Sequence, residues 1–148
     1  IGAFFASLGA DVVSAEYRTT NRNLAAIRYR NISGFKTIFF DGEKDFTDLR
    51  QYAGQADKFD LILCLAFLEV IEKIDNVILS GIKLSDNIVL ETMVCDSTDS
   101  QAQFYIDMPV GREFNDHALS ERVPRPSPAY IENVFAKNGW GFDRYSRL

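Results

Sequence analysis

Apolar residues occur along the chain in short runs, and segments with helical spacing separate these runs from one another. Each run is short enough for a strand and is bounded by polar turn formers, a pattern typical of buried strands. The predicted strands are Asp11–Glu16, Lys36–Asp41, Phe59–Leu65 and Asn87–Val94. Because strands that alternate with helices form βαβ units, the pattern predicts an α/β fold with a largely parallel sheet and flanking helices.

Helical spacing and capping residues predict the segments between and after these strands. Three helices are expected between strands, at Thr20–Asn31, Phe46–Ala53 and Ile74–Leu84. A further helix has Ser127 as its N-cap and Pro128 at its first position, and it ends at Asn138-Gly139. A final strand is predicted at Trp140–Tyr145.

The segment 95–128 breaks the alternation of strands and helices. It carries all four prolines, the only histidine and one extended piece at Gln103–Asp107. An irregular excursion of this length inside a compact domain is usually a lid or a binding loop. We therefore expect this segment to cover a substrate.

Composition limits the classes of function. With 148 residues and 47% hydrophobic content, the chain is expected to form a single domain over residues 1–148. Its net charge of −5 and the lack of a Lys/Arg run give no electrostatic footprint for nucleic acid. No apolar run approaches the roughly 20 residues of a membrane helix, and no basic leader opens the chain, so we expect a cytoplasmic protein without membrane contact.

The two cysteines, Cys64 and Cys95, lack CxxC spacing. This favours buried, reduced thiols over a disulfide or a zinc site, and no metal is predicted.

Glu16 ends the first predicted strand. Ligands of open α/β sheets gather at the carboxyl ends of the strands, where a carboxylate can accept hydrogen bonds from both hydroxyls of a ribose. The alternative is an exposed acid that merely ends a strand.

Asp41-Gly42 ends the second predicted strand and could lie beside an adenine. An Asp-Gly turn is the simpler explanation of that pair taken alone.

The apolar run of residues 61–70 ends with Ala66, Phe67 and Glu69. These side chains either face a ligand at the edge of the sheet or belong to the core. Glu69 either serves a site or favours the start of the next helix through the helix dipole.

His117 has the only side chain with an unperturbed pKa near neutrality, which makes it a candidate general base. A single histidine in a polar loop is more often solvated, and no nucleophile or metal cluster accompanies it.

The chain begins with Ile1-Gly2-Ala3-Phe4-Phe5, in which Gly2 is interpreted as the last glycine of a Gly-rich turn that enters a helix. The strand that should feed this turn, and the earlier glycines of the turn, do not precede it. The expectation is a nucleotide-binding domain without its first strand and the start of its Gly-rich loop.

Taken in order, several motifs resemble those of class I S-adenosylmethionine-dependent methyltransferases, whose fold is Rossmann-like. The resemblance rests on the Gly2-led helix, Val12–Glu16, Phe40–Gly42, Lys58–Ile71 and Ile88–Thr92, and it spans nearly the whole chain. Residues 125–132 and 138–140 are similar to enzymes that modify the wobble uridine of transfer RNA and to related small-molecule methyltransferases. Val70 stands where many relatives have histidine.

The resemblance implies S-adenosylmethionine as cofactor and methyl transfer to an acceptor. It implies that Gly2 flanks the methionine portion, that Glu16 holds the ribose, and that Asp41 and Gly42 lie beside the adenine. The remaining cofactor-binding residues implied are Tyr17, Leu65, Ala66 and Phe67, the last three facing the sulfonium. Candidates for a catalytic base are Glu69, Tyr105 and His117, in no order, and the low positive charge favours a small-molecule acceptor over nucleic acid.

Two other functions stay open. The first is a catalytically silent Rossmann-like fragment that forms a homodimer through exposed sheet strands, since an unpaired strand edge invites association. The second is a nicotinamide-dependent oxidoreductase, whose second strand also ends in an acid. The apolar strand that runs into Leu68-Glu69 and the late Leu90-Glu91-Thr92 strand favour methyl transfer over the oxidoreductase.

Overall fold

The computed structural model describes residues 1–16, 19–39, 58–107 and 122–144. The chain divides into two compact units, Ile1–Phe59 and Asp60–Leu148, each of which is described by itself. The predicted helix Phe46–Ala53 lies outside the described residues.

The first unit contains two helix–strand pairs: α1 (Gly2–Ser7), β1 (Val12–Glu16), α2 (Thr19–Arg28) and β2 (Phe35–Phe39). Strands β1 and β2 are parallel, with Val12 opposite Phe35 and Glu16 opposite Phe39. The two predicted strands and the crossover helix between them are therefore confirmed, with the described boundaries within three residues of the predicted ones.

Gly34 sets the entry into β2. Its φ of +74° lies in the left-handed region, and a Cβ at this position would lie only 2.8 Å from the Ala10 carbonyl oxygen. The Gly34 carbonyl accepts the Val12 N–H, which starts the ladder between β1 and β2. A residue with a side chain would strain this junction, so glycine is required here.

The second unit begins with a parallel pair. Strand β3 (Ile62–Leu65) is followed by a 3₁₀ helix (Leu68–Val70), helix α3 (Ile74–Leu84) and strand β4 (Ile88–Glu91). Ile62 lies opposite Ile88, and Leu65 lies opposite Glu91. Helix α3 has the predicted bounds because its apolar residues repeat on one face, which is buried.

The remaining described elements of the second unit are an antiparallel pair and a helix: β5 (Gln103–Asp107), β6 (Arg122–Pro126) and α4 (Pro128–Lys137). As predicted, the Ser127 hydroxyl caps α4 by accepting the Tyr130 N–H, with Pro128 at the start and Gly139 at a φ of +78° beyond the end. Among the described residues of this unit, the buried apolar side chains include Cys64, Leu68, Ile71, Ile74, Val77, Ile78, Leu84, Val123, Ile131 and Phe135.

Strand β6 corrects the prediction that the segment 95–128 is irregular. The Ser127 N–H donates to the Ala102 carbonyl across 2.9 Å. Because successive N–H groups of a strand point to opposite sides, the N–H groups of the odd-numbered residues of this strand face β5. The nitrogens of Pro124 and Pro126, which carry no hydrogen, therefore face away from β5, where the ladder needs no donor. The Pro126 carbonyl instead accepts the Cys95 N–H across 3.0 Å.

The predicted final strand is wrong over its described part, Trp140–Arg144, which has no regular structure. The Trp140 N–H donates to the Phe135 carbonyl, and the two aromatic rings pack with centroids 5.8 Å apart. Trp140 thus closes the C-terminus of α4 rather than beginning a strand.

Parallel pairing of β1 with β2 and of β3 with β4 supports the α/β prediction. One continuous Rossmann-like sheet and one single domain remain predictions. In the part of the chain that the structure describes, none of the helices is long and apolar enough to cross a bilayer.

Candidate functional site

Glu16 lies at the carboxyl end of β1, where ligands of parallel sheets bind. Its side chain is half-buried, and its Oε2 accepts a hydrogen bond from Nδ2 of Asn21 in the first turns of α2, at 3.3 Å. This contact orients the carboxylate. The arrangement can accept hydrogen bonds from a vicinal diol because an ionised carboxylate has several acceptor positions.

Gly2, which the sequence indicates as the last glycine of a Gly-rich turn, packs closely against both strands of the first unit. A Cβ at Gly2 would lie 3.0 Å from Cε2 of Phe35 and 3.2 Å from Cγ1 of Val12. Glycine therefore lets α1 approach both strands of the first unit closely. Close packing of a helix on a strand is the function of the last glycine of a nucleotide-binding turn.

Four of the residues proposed from the sequence lie outside the described ranges. They are Tyr17, Asp41, Gly42 and His117. Their roles stay predictions.

The turn after β3 has an uncommon backbone conformation. Ala66 is exposed and has a φ of +52°, the only positive φ among the described residues other than glycine. Residues with a Cβ pay a steric cost in this region, and such conformations cluster at functional sites. Leu65 and Phe67, on either side of it, are half-buried. The turn lies at the carboxyl end of β3, the edge at which the sequence predicts a ligand.

Glu69 holds this turn against the segment that follows β4. Its Oε2 accepts the N–H of Met93 at 3.3 Å, and its backbone carbonyl accepts Nη1 of Arg125 at 3.1 Å. Neither contact could be read from the sequence, because 24 and 56 residues separate Glu69 from these partners. The carboxylate therefore has a structural partner in addition to any role as a base.

Thr92, next to Met93, has a side-chain oxygen that is buried without a hydrogen-bond partner among the described residues. Buried hydroxyl groups are nearly always satisfied, so an orphan calls for an explanation such as a bound ligand or a water. It lies directly after β4, whose carboxyl end is beside that of β3.

Tyr105 lies on β5 and is exposed. Its hydroxyl donates to Oε1 of Gln103 at 3.4 Å, and the guanidinium of Arg122 lies 4.6 Å from the centre of its ring. Asp107 pairs with the same arginine at 3.6 Å. These contacts give Tyr105 a cationic neighbour.

A cavity of about 500 Å³ lies where the chain leaves β4 and where α4 begins. It is lined by residues 94–98, Pro128, Ala129 and Arg144. Arg144 is held by an ion pair with Glu132. The cavity is large enough for a small organic molecule.

Within the described ranges, no three His, Cys, Asp or Glu side chains are grouped closely enough to share a metal ion. The thiol of Cys64 is buried in β3, and this burial raises its pKa to about 12. A thiol in this state is a poor nucleophile at neutral pH.

The sequence matches no protein-family model and no curated protein. Its fold is similar to a solved structure of the N-terminal domain of EvdMO1 with SAH bound, with a TM-score of 0.69 and 18% identity. The same domain solved in the presence of SAH and D-fucose gives a TM-score of 0.67 and 16% identity. Each comparison covers 86% of this chain, and 54% and 55% of the respective solved chains, so this chain spans about half their length. At this level of identity, the likeness shows a shared fold.

Proposed function

We propose that this chain binds S-adenosylmethionine and transfers its methyl group to an acceptor. The observation that carries the proposal is the likeness, over 86% of the chain, to a domain solved with SAH bound. SAH is S-adenosylhomocysteine, the species that remains after S-adenosylmethionine has given up its methyl group. The order of sequence motifs points to the same cofactor.

Several described residues have groups that suit one part of this cofactor. The Glu16 carboxylate at the end of β1 is suited to the two ribose hydroxyls, and Gly2 gives α1 its close approach to the strands. At the end of β3, the turn with Leu65, Ala66 and Phe67 is suited to the region of the sulfonium. The orphaned hydroxyl of Thr92 offers one more polar group for a bound molecule. The proposal also places Asp41 and Gly42 beside the adenine and includes Tyr17 among the cofactor-binding residues.

The cofactor, when bound, would supply a methyl group that is already activated, because breaking the carbon–sulfur bond of its sulfonium releases a neutral thioether, which is a good leaving group. The protein then has to bind the acceptor in line with the carbon–sulfur bond and exclude water. Where the acceptor atom loses a proton as it gains the methyl group, one positioned base is sufficient to take that proton. Glu69, Tyr105 and His117 are the proposed candidates for this base.

We propose a small-molecule acceptor. The net charge of −5 gives no support to sustained contact with a phosphate backbone. The cavity of about 500 Å³ beside residues 94–98 is of a size that suits a small organic acceptor.

Calorimetric titration of the protein with S-adenosylhomocysteine and, separately, with NAD tests the proposal. We expect saturable binding of S-adenosylhomocysteine and no binding of NAD. Binding of NAD alone would favour the oxidoreductase, and binding of neither compound would favour the silent fragment. Sedimentation of the same samples measures whether the chain forms the homodimer that the silent-fragment hypothesis requires.

A further inference from the structure

Three hydrogen bonds hold the turn after β3 from two sides. The Ala66 N–H donates to the Glu91 carbonyl at 2.9 Å, and the Glu69 carboxylate accepts the Met93 N–H at 3.3 Å, so two bonds link the turn to the end of β4. The third comes from β6, where Nη1 of Arg125 donates to the Glu69 carbonyl at 3.1 Å. A strained conformation such as that of Ala66 persists only where its surroundings hold it.

Arg125 is suited to this role because the strand that carries it is firmly anchored. Val123, Pro124 and Pro126 are completely buried. The Pro126 carbonyl accepts the Cys95 N–H, and the Ser127 hydroxyl donates to the Asp99 carbonyl at 2.6 Å. The backbone of Arg125 is therefore fixed on both sides, and its guanidinium is presented to the turn from a rigid support.

The guanidinium also suits the atoms that it contacts. The same Nη1 donates to the Glu69 carbonyl and to the Pro124 carbonyl, at 3.1 and 3.2 Å. A charged donor makes a stronger hydrogen bond to a carbonyl than a neutral one does. The side chain is half-buried, which reduces competition from water.

We propose that Arg125 is a positioning residue, which acts through Glu69 to hold the turn of Ala66 and Phe67 in the shape that the cofactor requires. This inference rests on the proposed function, because it assigns the turn to the cofactor site. It makes β6 a fixed support of the site rather than part of a mobile lid. It also gives the Glu69 carboxylate a positioning role, as the hydrogen-bond acceptor for the Met93 N–H.

The test compares arginine variants by titration with S-adenosylhomocysteine and by thermal unfolding. Arg125→Gln should bind at least about 10-fold more weakly than the wild type, since small displacements of a site are costly. Arg125→Lys keeps a charged donor and should restore binding to within about 3-fold. Arg122→Gln is the matched control on the same strand, because Arg122 contacts Tyr105 and Asp107 of β5, and the affinity of this variant should stay within about 2-fold of the wild type.

Glu69 gives a second, independent pair of variants if Arg125→Gln does not fold. Glu69→Gln keeps an oxygen that can accept the Met93 N–H and should bind S-adenosylhomocysteine like the wild type, whereas Glu69→Ala should bind at least about 10-fold more weakly. Wild-type affinity in both Arg125→Gln and Glu69→Ala, or equal loss in Arg125→Gln and Arg125→Lys, overturns the inference alone. Failure of the wild type itself to bind overturns the proposed function.

Discussion

The hydroxyl of Tyr130 on α4 donates a hydrogen bond of 2.6 Å to Oδ1 of Asp75 in the first turn of α3. The bond joins two helices whose contacting residues are 55 positions apart in the sequence. Burial, followed by the bond to Asp75, raises the pKa of the Tyr130 hydroxyl above its usual value. The hydroxyl therefore stays protonated and remains a donor at any physiological pH.

Replacing Tyr130 by Phe should lower the free energy of unfolding by about 1–2 kcal/mol. A hydrogen bond to a charged acceptor contributes about 1.5–3 kcal/mol, and the half-buried position of Tyr130 reduces that figure. Urea unfolding measures the change. Tyr105→Phe is the control: its hydroxyl is exposed with a long 3.4 Å contact, so a change of no more than about 0.5 kcal/mol is expected. Equal effects of the two substitutions would contradict this assignment.

Replacing Glu16 by Gln should weaken binding of S-adenosylhomocysteine about 10-fold or more while the fold is retained. The amide is a neutral acceptor, and hydrogen bonds from hydroxyls to a charged acceptor are roughly twice as strong. Calorimetric titration gives the affinity, and circular dichroism checks the fold. Asp11→Asn is the control, because Asp11 immediately precedes the other end of β1, and this variant should keep the affinity of the wild type. Unchanged affinity in Glu16→Gln would rule out the ribose role.

Replacing Gly2 by Ala should destabilise the protein by about 1–3 kcal/mol, the usual cost of overpacking. The added Cβ would be forced to within 3.0 Å of the Phe35 ring. Gly141→Ala is the matched control, because a Cβ there meets nothing within 4 Å. Chemical unfolding distinguishes the two variants. If Gly2→Ala is as stable as Gly141→Ala, the packing explanation is wrong.

Stability should fall with rising pH above about pH 9 because of Cys64. In the unfolded chain this thiol ionises near its ordinary pKa of 9.0, whereas burial raises its pKa to about 12 in the folded protein. Below pH 9 both states keep the proton, and between pH 9 and 12 only the unfolded state releases it. The free energy of unfolding therefore falls by up to about 1.4 kcal/mol per pH unit in that window.

Urea unfolding of the wild type and of Cys64→Ala at about pH 8 and about pH 10 isolates the contribution of this thiol. From about pH 8 to about pH 10, the free energy of unfolding should fall by about 1.4 kcal/mol less in Cys64→Ala than in the wild type. Cys95→Ala removes the half-buried thiol instead, and its free energy of unfolding should fall between the two pH values as that of the wild type does. The same decrease in Cys64→Ala and in the wild type would show that Cys64 does not set the alkaline limit.

The elements whose signals are local were predictable. Helix α3 has the predicted bounds, Ile74–Leu84, because its apolar positions repeat along one face. Helix α4 begins and ends as expected because Ser127, Pro128 and Gly139 act within one turn of its ends. The sequence does not indicate strand β6, because prolines such as Pro124 and Pro126 usually argue against a strand. This rule does not apply to a strand whose proline nitrogens face away from the partner strand.

The candidate site was predictable only as a set of strand ends. The sequence placed Glu16 at the end of β1 and Ala66 after β3, since an apolar run that stops marks where a strand stops. It contained no signal for the left-handed φ of Ala66, which is more often a property of glycine.

By itself, the sequence determined the parallel strand pairs, the helices packed beside them and the acid at the end of β1, because hydrophobic period and capping act over a few neighbouring residues. Only the tertiary structure decided that Glu69 contacts Met93 and Arg125, and that Tyr130 contacts Asp75. Hydrogen bonds between distant segments depend on which backbone edges and helix ends meet after packing. No local pattern of polar and apolar residues encodes that meeting.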